Sequence, residues 1–108
     1  MKKGDIWTID LPSSQFSEQM GTRPSVIIAN VDADIAIIIP FTTNKQALRY
    51  KNTMLIESNS ENGLNQDSVL LVFQIRAIDK NRIKNKIGEI DKQSQSLLDT
   101  MIKKMLTL

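Results

Sequence analysis

Val26-Ile27-Ile28-Ala29, then Asn30-Val31-Asp32-Ala33-Asp34, then Ile35-Ala36-Ile37-Ile38-Ile39-Pro40-Phe41: this stretch decides the fold. Both outer runs are continuous, short and rich in β-branched side chains, which is the pattern of central strands. The residues between them are short and turn-forming, so the two runs are expected to close into an antiparallel hairpin. Pro40 has no amide hydrogen to give, so ladder pairing is expected to stop, or to bulge, beside it.

Outward from the hairpin, residues 5–11 alternate. Trp7, Ile9 and Leu11 share one face and Ile6, Thr8 and Asp10 the other, a half-buried strand with Trp7 turned to the core. On the other side, Thr42-Thr43-Asn44-Lys45 closes the hairpin's second strand. Residues 53–57 read as a shorter strand, ended by the turn-rich 58–63. Residues 68–77 read as one long strand, and the shared parity of Val69, Leu71, Phe73 and Ile75 puts Phe73 in the core. A single helical turn over 79–83 and a short strand over 86–90 follow. The period then changes: Leu97, Leu98, Met101, Ile102, Met105 and Leu106 fall at helical spacings. Asp91 is placed to cap that helix, and Lys103 and Lys104 stand where its dipole favours cations. About six strands and one terminal helix make a mainly β chain, a small β-barrel with a packed C-terminal helix.

At 108 residues the chain is one domain, 1–108, with 41% hydrophobic and 24% charged residues, the composition of a soluble globular protein. It has no cysteine and no histidine. Disulfides and thiolate chemistry are therefore excluded, and so is the usual general base of neutral pH. Without those ligands, and without a dense carboxylate cluster, neither a metal site nor a cofactor is expected. The net charge of +2 says little about partners. Lys80, Arg82, Lys84 and Lys86 alternate through one segment and read as a solvated face. No apolar run reaches membrane-spanning length, and Met1-Lys2-Lys3 leads into a strand pattern, so no membrane association and a cytoplasmic address are expected.

Function concentrates in Ser17-Glu18-Gln19-Met20-Gly21-Thr22-Arg23-Pro24-Ser25, a polar loop held between two strands. Pro24 pushes Arg23 toward an extended conformation, so this arginine joins its strand at a defined angle. Its guanidinium is a planar, permanently charged fork matched to phosphate or carboxylate. Taken alone, Arg23 also reads as a solvated arginine ahead of a strand.

Gly4-Asp5-Ile6-Trp7, Asp10-Leu11, Ser17-Glu18-Gln19, Gly21-Thr22-Arg23-Pro24, Asp67-Ser68-Val69 and Gln74-Ile75-Arg76-Ala77-Ile78-Asp79-Lys80 with Arg82 together resemble the MazF/PemK family, over essentially the whole chain. Members are toxins of type II toxin–antitoxin pairs, most of them sequence-specific endoribonucleases. The resemblance implies an SH3-like barrel that dimerises, single-stranded RNA bound across the homodimer, and a cognate antitoxin whose acidic, disordered segment covers the RNA site. It implies catalytic roles for Arg23 and for Thr42, which aligns behind Phe41. It also implies substrate contact by Glu18 and Gln19, and RNA near Gln74. Phe16 and Met20 stand where many members carry glycine, and Phe73 stands where relatives often carry an acid.

Such cleavage uses the ribose 2′-hydroxyl as nucleophile, so the protein must align it, stabilise phosphorane charge and move two protons. Arg23 can clamp two phosphate oxygens, and the Thr42 hydroxyl can hold one. Thr43 and Asn44 can extend that cradle, and Lys45 adds attraction to phosphate. Glu18 is the carboxylate of the loop and the candidate base. Ser17 belongs to the same loop, and Phe16 is the better candidate for stacking on a base, a role that Phe73 could take instead if it were exposed. Each has a plainer reading: Thr42 and Thr43 end a strand, and Glu18 pairs with Arg23 to order the loop. Two other functions share the fold: a CcdB-like poison of DNA gyrase, and a catalytically silent relative that only binds an antitoxin or represses its operon. The Arg-Pro motif favours the ribonuclease, and Phe73 in place of an acid keeps the silent relative in view.

Overall fold

β2 (Gly21–Asn30) and β3 (Ile35–Thr42) form the expected hairpin in the computed structural model, which describes residues 1–11 and 21–108. Asp32 shapes its turn, accepting the Asp34 and Ile35 amides on Oδ1 at 2.8 and 3.0 Å. Those two hydrogen bonds hold the Asp32 carboxyl below the usual carboxylate range. Lys80 braces the turn from outside, reaching Asn30 Oδ1 and the Asp32 carbonyl.

Around the hairpin lie β1 (Asp5–Leu11), β4 (Thr53–Ile56), β5 (Ser68–Leu71), β6 (Arg76–Asp79), β7 (Ile83–Glu89) and a terminal helix, α1 (Lys92–Met105). The strands pair in the order β4-β5-β3-β2-β1-β7, every pair antiparallel, with β6 also on β3. The mainly β chain with a C-terminal helix is the fold the pattern implied. Among the described residues the strand path stays open between β4 and β7.

The continuous apolar runs of β2 and β3 follow from burial on both faces. Val26 and Ile39 enter one cluster with Ile6, Phe41, Leu70 and Leu98, whereas their neighbours Ile27 and Ile38 enter another with Ile9, Leu11 and Ile78. β1 obeys the same period of two, with Ile6 on the first cluster and Ile9 and Leu11 on the second. Trp7 faces the second cluster as expected but is only half-buried, at the margin of that core. Asp5, almost fully buried, takes the Lys2 amide at 2.9 Å and the Lys86 ammonium at 3.4 Å.

Four expectations need correction. Residues 68–77 are not one strand: β5 ends at Leu71, a 3₁₀ turn spans Val72–Gln74, and β6 begins at Arg76. All four β5 residues are buried, so parity carries no information there, and Phe73 is exposed instead of core. The last strand is longer than expected and starts at Ile83. In α1, Leu98, Met101, Ile102 and Met105 face the first cluster, while Leu97 and Leu106 point outward. Its predicted cap holds: Asp91 Oδ1 accepts the Ser94 amide at 2.7 Å.

Candidate functional site

The β2–β3 ladder ends at Ser25 opposite Pro40. Two residues back along β2 stands Arg23, and two residues on along β3 stands Thr42, so the register that pairs Ser25 with Pro40 puts these two at matched positions. There the two strands stop pairing with each other and each keeps only its outer neighbour: Arg23 is opposite Ile9 of β1, and Thr42 is opposite Val69 of β5. The hairpin forks. Pro24 and Pro40 sit at the fork, and neither can donate a backbone hydrogen bond across it. Arg23 is exposed and has no ion pair among the described residues, while Thr42 is half-buried.

Hydrogen bonds organise the loop after Thr42. Its Oγ1 accepts the Asn44 amide at 3.2 Å, which leaves the hydroxyl proton for an outside acceptor. Asn44 in turn caps a 3₁₀ helix, Lys45–Arg49, with Oδ1 accepting from the Gln46 amide at 3.0 Å. A cleft of ≈ 210 Å³ opens beside this cap, lined by Thr42, Asn44, Arg49, Tyr50, Phe73 and Gln74 among others. The structure thus brings together Thr42, Asn44 and Gln74 of the expected set. Thr43 and Lys45 are exposed on the same turn and do not line the cleft. Phe16, Ser17, Glu18 and Gln19 lie outside the described residues.

Arg49 and Tyr50 are cleft residues that the sequence reading missed. The available signal was Asn44, a capping residue followed by Lys45-Gln46-Ala47-Leu48-Arg49, all good helix formers, with the chain's single tyrosine next. The basic run of 80–86 is largely engaged within the fold: Lys80 on the hairpin turn, Lys84 on the Asn81 carbonyl at 3.2 Å, Lys86 on Asp5. Among the described residues no group of three or more acidic, histidine or cysteine side chains is arranged to hold a metal ion, and no helix is long and apolar enough to cross a membrane.

Comparison with known proteins places this geometry. Residues 2–106 match the family described as the PemK-like, MazF-like toxin of type II toxin–antitoxin systems. Endoribonuclease EndoA of Bacillus subtilis (strain 168) is 32% identical over 112 residues, covering 100% of this chain and 96% of the relative. Endoribonuclease MazF of Staphylococcus saprophyticus is 38% identical over 91 residues, covering 81% and 75%. The crystal structure of MazF (Form-I) from Deinococcus radiodurans matches with a TM-score of 0.83 and 15% identity, covering 100% and 97%, a likeness that shows the fold alone.

Proposed function

Because this chain belongs to the PemK-like, MazF-like toxin family of type II toxin–antitoxin systems, we propose that it is an endoribonuclease that cuts single-stranded mRNA by internal attack of the ribose 2′-hydroxyl. Its endoribonuclease-named relatives support the activity. The observation that carries the chemistry is the fork, where an exposed guanidinium and an oriented hydroxyl occupy matched positions on adjacent strands.

Arg23 binds two non-bridging oxygens of the scissile phosphate and stabilises the charge that grows on the phosphorane. Thr42, its oxygen already accepting from Asn44, donates its proton to the same phosphate. Asn44 on the cleft rim, with Thr43 and Lys45 on the same turn, extends the cradle along the backbone. Gln74, across the cleft, meets the neighbouring nucleotide. Glu18 is assigned the 2′-hydroxyl proton on sequence grounds. The 2′-oxygen bonds to phosphorus as the bond from phosphorus to the 5′-oxygen breaks, and the 5′-oxygen takes a proton from water, giving a 2′,3′-cyclic phosphate and a free 5′-hydroxyl. Neither a metal-bound water nor a protein nucleophile enters this scheme.

As a toxin of such a pair, its partner is an antitoxin. We assign the covering role to an acidic disordered segment that folds over Arg23 and the loop before it, and the working unit to a homodimer sharing the RNA.

The test is one incubation of purified protein with a long unstructured RNA in EDTA, followed by end mapping. Undiminished cutting at a few sequences, with cyclic phosphate and 5′-hydroxyl ends, is the expected result. A 5′-phosphate product or strict magnesium dependence would overturn the scheme.

A further inference from the structure

One wall of the cleft beside Thr42 has no part in the cleavage chemistry. Tyr50 and Phe73 are 49% and 39% exposed, their ring centroids 5.8 Å apart and their planes inclined by 57°. The Arg49 guanidinium lies 5.0 Å from the Tyr50 ring centroid and donates through Nη2 to the Tyr50 hydroxyl at 3.1 Å. Backbone hydrogen bonds hold both rings without burying them. The Tyr50 amide donates to the Ala47 carbonyl at 3.0 Å, and the Phe73 amide to the Asn52 carbonyl at 3.2 Å. Two aromatic side chains left exposed side by side are not accounted for by core packing.

We propose that Tyr50, Phe73 and Arg49 form a stacking subsite for one unpaired RNA base, flanking the phosphate held by Arg23 and Thr42. The inference rests on the endoribonuclease reading and adds to it where the strand runs. Continuity comes first: Thr42 lines the same cleft as both rings, so a strand whose phosphate sits on Thr42 carries its next base against them. Size agrees. The cleft, ≈ 210 Å³, is below the roughly 300–1,000 Å³ of sites for drug-sized ligands and suits a single planar group. Chemistry agrees as well. Every base offers a π-face to an aromatic ring, and single-stranded RNA leaves its bases free to be splayed onto one. Arg49, already stacked on Tyr50, keeps guanidinium N–H groups for a flanking phosphate. Asn44 on the rim offers an amide to the base edge.

The experiment titrates wild type and the Phe73→Ala, Phe73→Leu and Phe73→Trp variants with an end-labelled single-stranded RNA blocked by a 2′-deoxy nucleotide at the mapped cut site. KM and kcat are measured in parallel on the cleavable RNA. Phe73→Ala is expected to weaken binding and raise KM about tenfold or more with kcat nearly unchanged. Phe73→Trp should restore binding and Phe73→Leu should not. An abasic residue in place of the flanking base should cost wild type the same factor and cost Phe73→Ala nothing further. Unchanged RNA binding by Phe73→Ala, rescue by Leu equal to Trp, or losses that multiply would overturn the subsite while cleavage stood. Wild type that binds an unmodified RNA through Phe73 yet never cuts it would leave the subsite and remove the cleavage reading. An effect confined to binding of an acidic antitoxin peptide would reassign the rings to a protein partner and overturn the proposal.

Discussion

The two ends of one hairpin behave as different materials. From Ser25 and Pro40 toward the turn, β2 and β3 are laddered to each other, and Val26, Ile27, Ile38 and Ile39 are fully buried in two apolar clusters. Beyond Ser25 and Pro40 the same strands part, each held only by its outer neighbour, β1 or β5, and carry Arg23 and Thr42 at the opening. Packing density fixes the closed end. At the forked end, positions are set by the strands behind them while the side chains stay available. A site built this way gains rigidity from a core it does not share, so core and site variants should separate cleanly.

The largest expected effect breaks the closed end. Ile39→Ala removes buried methylenes from a fully buried position and is expected to destabilise by about 2–5 kcal/mol in urea unfolding. Cleavage per folded molecule should stay near wild type, which active-site titration against an antitoxin peptide would check.

Next comes the forked end. Arg23→Ala should lower kcat on RNA about 100-fold or more, with a melting temperature near wild type because the side chain is exposed. Arg23→Lys should fail nearly as badly, since an ammonium does not reproduce the bidentate fork. A large drop in melting temperature for Arg23→Ala would show that the two ends are not separable.

The smallest effect lies away from both ends, where β1 meets β7. Burial pushes the Asp5 carboxyl up, but the Lys2 amide, the Lys86 ammonium and the Trp7 indole together bring it below its ordinary value. A carboxyl lowered on folding adds stability above its unfolded value, near pH 4, and that stability is lost as pH falls through the lowered folded value. Asp32 contributes in the same direction. Asp5→Asn should therefore lower stability at neutral pH and flatten the acid limb below about pH 4 in melts across pH, leaving the pH profile of cleavage unmoved.

Legibility in the sequence followed the same division. The hairpin was readable because uninterrupted β-branched runs have few other solutions, and α1 because its cap and its 3.6-residue period agree. The extended backbone at Arg23 was readable from one dipeptide, because a proline keeps the residue before it out of the helical region. The break at Val72–Gln74 was hidden because its residues keep a perfect alternation with β5, and only the three-dimensional partner change, from β5 to β6 along β3, reveals the turn. Tyr50 and Phe73 were invisible as a pair for the same reason. They are 23 positions apart and meet only because β4 and β5 run side by side.

The most direct measurement is a double-mutant cycle on the fork: single-turnover cleavage rates for wild type, Arg23→Ala, Thr42→Ala and the double variant. If both side chains act on one phosphate, Thr42→Ala alone costs less than Arg23→Ala alone, and the double variant is hardly slower than Arg23→Ala. Losses that multiply, as for two independent sites, would contradict the account.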